Sequence, residues 1–116
     1  MKVDDIRVFI PSKDYEISKS FYQALGFEMD YVTDDLALFE NGDCSFFLQR
    51  FYNEDLAHNL MLQLSVLDIN EVFEVISSLD NFDIKYAPVK TEPWGKVLYL
   101  WGPSGELWHV TEFIGN

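Results

Sequence analysis

Hydrophobic and polar residues alternate in two stretches of the chain, residues 5–11 and 60–67, and this alternation predicts two β-strands. The apolar positions are Ile6, Val8 and Ile10 in the first stretch, and Leu60, Leu62, Leu64 and Val66 in the second. An aspartate that can cap a helix follows each stretch, Asp14 and, 54 positions later, Asp68. The chain therefore contains a half-hidden repeat of one small strand-helix unit.

Ser12 or Asp14 can cap the first helix, which is predicted to end at Gly26, since glycine suits the left-handed conformation that ends helices. Its buried stripe is predicted to contain Ile17, Phe21 and Leu25. Further strands are predicted at residues 27–33, 36–40 and 43–50, with a hairpin turn at Asn41-Gly42. The first unit thus has the order β-α-β-β-β.

The second unit repeats this order after a connector at residues 51–59. Asp68 and Glu71 have the spacing of a capping box at the start of the second helix. Strands are predicted at about 84–89, 96–101 and 106–113, with loops at 91–95 and 102–105. The predicted fold is α+β, with two βαβββ modules forming one cupped mixed sheet that carries the helices on its outer face. A single domain, residues 1–116, would contain module one at about 1–51 and module two at about 60–116.

Alternation also separates the two faces of each strand. The apolar sets named above are predicted to lie under the helices. The opposite, open face would carry Arg7, Phe9, Ser45, Phe47, Gln49, Met61, Gln63, Ser65, Tyr99, Trp101, Leu107, His109 and Thr111. Aromatic rings mixed with a few polar groups are typical of a ligand pocket, and also of a dimer interface. Trp94, on a predicted loop, is a candidate lid over the pocket or a residue at the rim of a dimer.

The charge of the chain excludes some partners. Twenty acidic and eight basic residues give a net charge of −12, which repels phosphate backbones and anionic lipids. We therefore expect neither nucleic acid nor membrane as a partner. Cys44 is the one cysteine, which excludes an intrachain disulfide, and its place in an apolar strand predicts a buried, inert thiol. No signal-peptide pattern or long apolar run is present, so we expect a cytoplasmic protein.

Two motifs resemble a known superfamily. SKSFYQALGF resembles the helix signature of the glyoxalase, bleomycin-resistance and extradiol-dioxygenase group, the vicinal oxygen chelate superfamily, and WGPSGELWHVTEF resembles its closing hairpin. FFLQRFYNEDLAHNLML resembles the corresponding segment in a subgroup of small bacterial members of this superfamily. The members of that subgroup are described only by analogy to lactoylglutathione lyase. The resemblance spans the whole chain and implies paired βαβββ modules and a homodimer.

The resemblance also places four possible metal ligands, because catalytic members of the superfamily bind a divalent metal in the cup. The matching positions in this chain are Arg7, Gln49, Met61 and His109. A guanidinium has no available lone pair, and a thioether is too soft for such a site. We therefore expect no metal and no other cofactor.

Three functions follow from these residues. The leading hypothesis is a small-molecule binding protein of the glyoxalase/bleomycin-resistance type that does not transform its ligand. Its predicted ligand-binding residues are Arg7, Phe47, Gln49, Met61, Gln63, Trp94, Tyr99, Trp101 and His109. The alternative is a lyase or isomerase of the lactoylglutathione-lyase type, with His109 as the candidate catalytic acid/base or as a metal ligand. The third is an interaction module whose cup is filled by its own side chains or by a partner.

Two of these residues also have structural interpretations. Arg7 can hold a ligand carboxylate or phosphate, or it can form an internal salt bridge, for example with Glu112. His109 can act on a ligand, or it can simply bond a neighbour in its strand. Trp108 faces the other way from the cup and is predicted to be structural, and His58 is predicted to be solvated or at an interface.

Overall fold

Two units, each a strand and a helix followed by further strands, build the α+β fold in the computed structural model, which describes residues 1–115. The first has the predicted order β-α-β-β-β, and the second has one more short strand, because residues 85–92 form two strands. The first unit contains β1 (Phe9–Pro11), α1 (Tyr15–Leu25), β2 (Glu28–Thr33), β3 (Leu36–Asn41) and β4 (Cys44–Gln49). A short helix, α2 (Glu54–Asn59), connects it to the second unit. The second unit contains β5 (Met61–Ser65), α3 (Ile69–Ser77), β6 (Lys85–Tyr86), β7 (Lys90–Glu92), β8 (Gly95–Trp101) and β9 (Leu107–Phe113).

Each unit forms its own mixed sheet. The first has the strand order β1-β4-β3-β2, and the second has the order β5-β9-β8-β6, with β7 also paired to β8. The pairs β1–β4 and β5–β9 are parallel, and the others are antiparallel. Within residues 1–115 no strand of one sheet pairs with a strand of the other, so β1 and β5 each lie at the edge of a sheet.

The two sheets share one hydrophobic core. Phe46 of β4 lies 5.6 Å from Trp108 of β9, measured between ring centroids, and Tyr22 of α1 contacts both rings. Trp108 is buried, which confirms its predicted structural role. Because both sheets turn their apolar faces toward this core, their opposite faces point away from each other.

The predicted caps form as expected. The Asp14 carboxylate accepts a hydrogen bond from the Ile17 N–H, and Asp68 accepts from the N–H groups of Asn70 and Glu71. Gly26 ends α1 with a φ of 127°, a conformation that side chains disfavour. No helix in residues 1–115 has the length and apolar character needed to cross a membrane.

Four predictions of local structure are wrong. β1 begins at Phe9 rather than at residue 5, and Ile6, predicted to be buried, is 88% exposed because nothing among residues 1–115 packs over it. The connector contains α2, which Asn53 caps through its side chain. The predicted loop at 91–95 contains β7, because Pro93-Trp94 makes a two-residue turn between paired strands.

Two side chains also differ from their predictions. Ile17 is 46% exposed, since Tyr15, Ser18, Phe21 and Tyr22 form the buried face of α1 instead. A four-residue spacing drifts around a helix of 3.6 residues per turn, so part of such a stripe turns outward. Cys44 is exposed, because it is the first residue of β4 and lies directly after the hairpin turn.

That hairpin turn is shifted by one residue from its prediction. Asn41 pairs with Cys44, so Gly42 and Asp43 are the central residues rather than Asn41 and Gly42. Gly42 has a φ of 60°, as the first central residue of a tight hairpin turn requires.

A buried carboxyl group connects the two units. Glu106, fully buried, accepts hydrogen bonds from the Tyr22 hydroxyl at 2.7 Å and the Ser104 N–H at 2.9 Å. The Tyr22 oxygen in turn accepts from the Trp108 indole N–H at 3.0 Å. Burial raises the pKa of Glu106 above its ordinary value, and the hydrogen bonds from Tyr22 and the backbone partly oppose this.

Replacing Glu106 with glutamine should change how stability depends on pH. The folded protein binds the Glu106 proton more tightly than the unfolded chain, so this group stabilises the fold below its ordinary pKa of about 4.3. This contribution to the free energy of unfolding is lost as pH rises through the folded pKa. It falls by at most about 1.4 kcal/mol for each pH unit. Denaturant unfolding from pH 4 to 8 should therefore show wild type losing stability relative to Glu106→Gln. The exposed Glu74→Gln is the matched control, and equal slopes in both variants would contradict the assignment.

Candidate functional site

Each sheet carries one face turned away from the core. The first open face is defined by Phe9, Ser45, Phe47 and Gln49, with Arg7 just before β1. The second open face is defined by Met61, Gln63, Ser65, Tyr99, Trp101, Leu107, His109 and Thr111. The alternation of burial along β4 and β5 agrees with the predicted assignment of these residues.

Arg7 is held by its own chain. Its Nε donates to the Ser45 hydroxyl at 2.9 Å, and its Nη2 lies 3.1 Å from an Asp5 carboxylate oxygen. The internal partner is thus Asp5, whereas Glu112 accepts from the Ile69 N–H at the start of α3. Asp5 therefore already compensates part of the positive charge of the Arg7 guanidinium.

The rings of the first open face form an exposed aromatic surface. Phe9 and Phe47 stack with a centroid distance of 4.8 Å and an interplanar angle of 23°, and Phe9 is 49% exposed. Gln49, half-buried, follows Phe47 on the same face of β4. A planar apolar ligand can continue such a stack.

Carboxylates line the outer part of this face. Glu40 of β3 pairs with Glu28 of β2. Leu38, two positions before Glu40 on β3, pairs with Asp30 of β2 on one side and with Phe47 of β4 on the other. A hydrogen bond with Asp30 raises the pKa of Glu40. This edge of the first open face therefore attracts cations.

Two rows of side chains cross the second open face. Gln63, His109 and Tyr99 are aligned by the pairing of β5, β9 and β8, and the next row contains Met61, Leu107 and Trp101. The Tyr99 and His109 rings meet edge to face at 4.9 Å, and Tyr99 lies 6.4 Å from Trp101. Five of the predicted site residues, Met61, Gln63, Tyr99, Trp101 and His109, are thus neighbours.

Two polar atoms on this face are buried without a hydrogen-bond partner among residues 1–115. They are Nε2 of His109 and Oγ1 of Thr111, which are two positions apart on β9. Buried polar groups normally find partners, so this orphaned pair is an exception among the described residues. Thr111 belongs to the predicted open face, but the sequence alone does not distinguish it from its neighbours.

Exposed Trp94 and half-buried Trp101 lie at opposite ends of β8. Trp101 ends the strand, and the Lys85 ammonium lies 4.8 Å from its ring centroid. Trp94, in the turn before the strand, packs against Phe113 at 5.6 Å. A seven-residue strand separates them by about 20 Å, so they do not meet in one chain. Lys85 was not among the predicted site residues, because the strand that places it, β6, is only two residues long.

The matching metal positions lie on both open faces. Arg7 and Gln49 are on the first, whereas Met61 and His109 are on the second, which points the other way. The donor set is a cation, an amide, a thioether and one imidazole, which does not suit a divalent metal. Residues 1–115 contain no cluster of three or more histidine, cysteine or carboxylate side chains able to hold a metal ion.

Comparisons with known proteins agree with this architecture. Residues 6–110 match the family model of the Glyoxalase/Bleomycin resistance protein/Dioxygenase superfamily. No curated protein sequence matches the chain significantly.

Several solved structures share the fold. A bleomycin-binding protein from Streptomyces verticillus, in complex with copper(II)-bleomycin, is 24% identical, with coverage of 96% of this chain and 98% of that one and a TM-score of 0.77. TnmS3, an antibiotic-binding protein from Streptomyces sp. CB03234, is 18% identical, with coverage of 97% and 98% and a TM-score of 0.79. The fosfomycin resistance protein FosX from Listeria monocytogenes, in complex with Mn(II) and sulfate, is 13% identical, with coverage of 99% and 94% and a TM-score of 0.79.

Proposed function

Because the chain belongs to the Glyoxalase/Bleomycin resistance protein/Dioxygenase superfamily, we propose that it binds a small aromatic molecule without transforming it. The similar structures include proteins that bind bleomycin and another antibiotic-binding protein, and this supports the ligand class. The stacked Phe9–Phe47 pair and the Tyr99–Trp101–His109 cluster supply the flat apolar surfaces that such a ligand needs.

The proposal rests on one observation: each chain carries two open faces, and each face supplies only one wall of a cup. Phe9 and Met61, at the edges of the two sheets, are 49% and 66% exposed, so each open face has apolar surface that its own chain leaves uncovered. Their faces point away from each other, so they cannot enclose one ligand within one chain. In a homodimer the first open face of one copy meets the second open face of the other, and each of two cups is completed.

The charges favour a neutral or cationic ligand. Asp5 compensates Arg7, and Glu28, Asp30 and Glu40 line the edge of the first open face. The orphaned atoms of His109 and Thr111 offer hydrogen bonds from the opposite wall. A cationic aromatic compound matches both walls.

The proposed cup has no catalytic metal. Arg7 and Met61 stand where the resemblance to metal-binding members places two ligands, and neither side chain suits a divalent ion. Chemistry in this cup would depend on His109, whose Nε2 has no hydrogen-bond partner among residues 1–115. This is the observation that favours the alternative function, a lyase or isomerase.

Thermal-shift and fluorescence titrations with bleomycin and a panel of cationic aromatic drugs test the proposal. We expect at least one compound to raise the melting temperature, since a ligand of the native state stabilises it by mass action. Phe47→Ala and Tyr99→Ala should each weaken that binding by about tenfold, as expected for central aromatic contacts. Sedimentation equilibrium should give twice the 13.5 kDa chain mass.

The control is Tyr31→Ala, which removes an exposed ring from outside both open faces. Equal loss of affinity in this variant, or a monomer that still binds the drug, would contradict the shared cup. Conversion of a bound compound into a product, lost in His109→Gln, would instead support the lyase or isomerase.

A further inference from the structure

A cavity of about 560 Å³ lies at the end of the second sheet, beyond Trp101. It is lined by parts of the chain that are far apart in sequence, namely the start of α1, helix α2, the segment before β6 and the turn between β8 and β9. Its side chains include Lys13, Tyr52, Glu54, His58, Asp83, Ile84, Lys85 and Trp101. The volume suits a small organic molecule, and every wall comes from one chain.

The wall formed by the β8–β9 turn is fixed by hydrogen bonds. The Lys13 N–H donates to the Ser104 hydroxyl at 2.8 Å, which ties the start of α1 to the turn. The Ser104 N–H donates to the buried Glu106 carboxylate, and Gly102 accepts from the Gly105 N–H at 3.0 Å. His58 of α2 fills the space that a side chain on Gly105 would need. The cavity is therefore formed before any ligand arrives.

Two lysines in this cavity have no anionic partner. Within residues 1–115 no carboxylate oxygen lies within 4.0 Å of the ammonium groups of Lys13 or Lys85. The Lys85 ammonium is also held in place over the Trp101 ring, at 4.8 Å.

The acidic side chains of the cavity are fewer than the overall charge would suggest. Glu54 lies 3.9 Å from the His58 imidazole on the same helix. Asp83 is the other carboxylate of the lining. The lining thus carries two lysines and two carboxylates, a more balanced set than the whole chain with its net charge of −12.

We propose that this cavity binds a small organic acid, with its carboxylate between Lys13 and Lys85. The apolar body of the ligand lies against Tyr52, Ile84 and Pro103, which supply the uncharged part of the lining. The site shares Trp101 with the cup proposed above, but it needs no second copy and prefers an anion rather than a cation.

Phenylacetate, with its neutral isostere phenylacetamide, is the probe that tests this site. Titration into ¹⁵N-labelled protein should shift the amide signals of Gly102 and Gly105 and the indole signal of Trp101. The double variant Lys13→Gln/Lys85→Gln should weaken phenylacetate binding by at least about tenfold, because it removes two charge-assisted contacts. Phenylacetamide should bind wild type more weakly than phenylacetate does.

The matched control is Lys90→Gln/Lys96→Gln, which makes the same change in net charge outside the cavity. It should keep wild-type affinity. Equal weakening in both double variants, equal affinity for the amide, or no shift at millimolar phenylacetate would overturn the proposal. Phe47→Ala, which damages only the cup, should leave phenylacetate binding unchanged, so the two sites fail independently.

Discussion

Replacing Tyr22 with alanine is expected to lower the free energy of unfolding by about 4–5 kcal/mol, the upper range for truncating a buried aromatic side chain. The fully buried ring contacts Phe21, Phe39, Phe46 and Trp108, at centroid distances of 5.0, 5.9, 5.0 and 5.9 Å. These neighbours come from both units, so the cavity would open at the centre of the shared core. Chemical denaturation measured by tryptophan fluorescence would give the loss directly.

The hydroxyl of Tyr22 accounts for a separate part of that loss. Tyr22→Phe keeps the ring but leaves the Trp108 indole N–H without its acceptor and Glu106 without its side-chain donor. We expect a loss of about 2 kcal/mol, the cost of leaving buried polar groups unsatisfied. Since the hydrogen bond from Tyr22 lowers the pKa of Glu106, this variant should also raise that pKa further. The fall in stability with rising pH should then extend to higher pH than in wild type.

Tyr31→Phe is the matched control for the hydroxyl. Its ring is exposed, and its hydroxyl donates to Asp34 at 2.7 Å on the surface. A change within about 0.5 kcal/mol is expected there. If Tyr22→Phe were as mild as Tyr31→Phe, the buried network would not connect the two units in the way described.

The repeat of strand and helix was readable from the sequence because local chemistry determines it. Asp14, Asp68 and Gly26 act at the ends of helices, within a few residues of the groups that they bond. The exposure of Ile6 could not be predicted in this way, because it depends on what packs over it from outside the unit. The role of Glu106 was also hidden, since its partner Tyr22 is 84 positions away.

The candidate site was predicted residue by residue, but its assembly was not. Alternation correctly places Phe47 on one open face and Tyr99 and His109 on another. It does not say that the two faces point apart, because this depends on how the shared core joins the sheets. Whether the modules complete a cup within a chain or between chains is therefore a question about tertiary structure, and the separate sheets favour the second answer.

Mixing two single variants should create a metal site that neither variant has alone. In the proposed dimer, Arg7→His on one chain and Met61→His on another bring two imidazoles into one cup, beside His109 of the second chain and Gln49 of the first. Three imidazoles and an amide oxygen form a donor set that suits zinc or cobalt(II). We expect the refolded mixture to develop the visible absorption of tetrahedral cobalt(II), with far weaker absorption in either variant alone.

The decisive comparison is between this mixture and the double variant Arg7→His/Met61→His. If the cup lies between chains, the double variant binds cobalt as a dimer and loses the ion when dilution separates the copies. If the two positions met within one chain, the double variant would bind cobalt at any dilution and the mixture would bind none. Ile17→His, at an exposed position on α1, replaces Arg7→His in the control mixture, where no absorption should develop. The sheets place positions 7 and 61 on faces that diverge within a chain, so a site in the mixture requires the second copy.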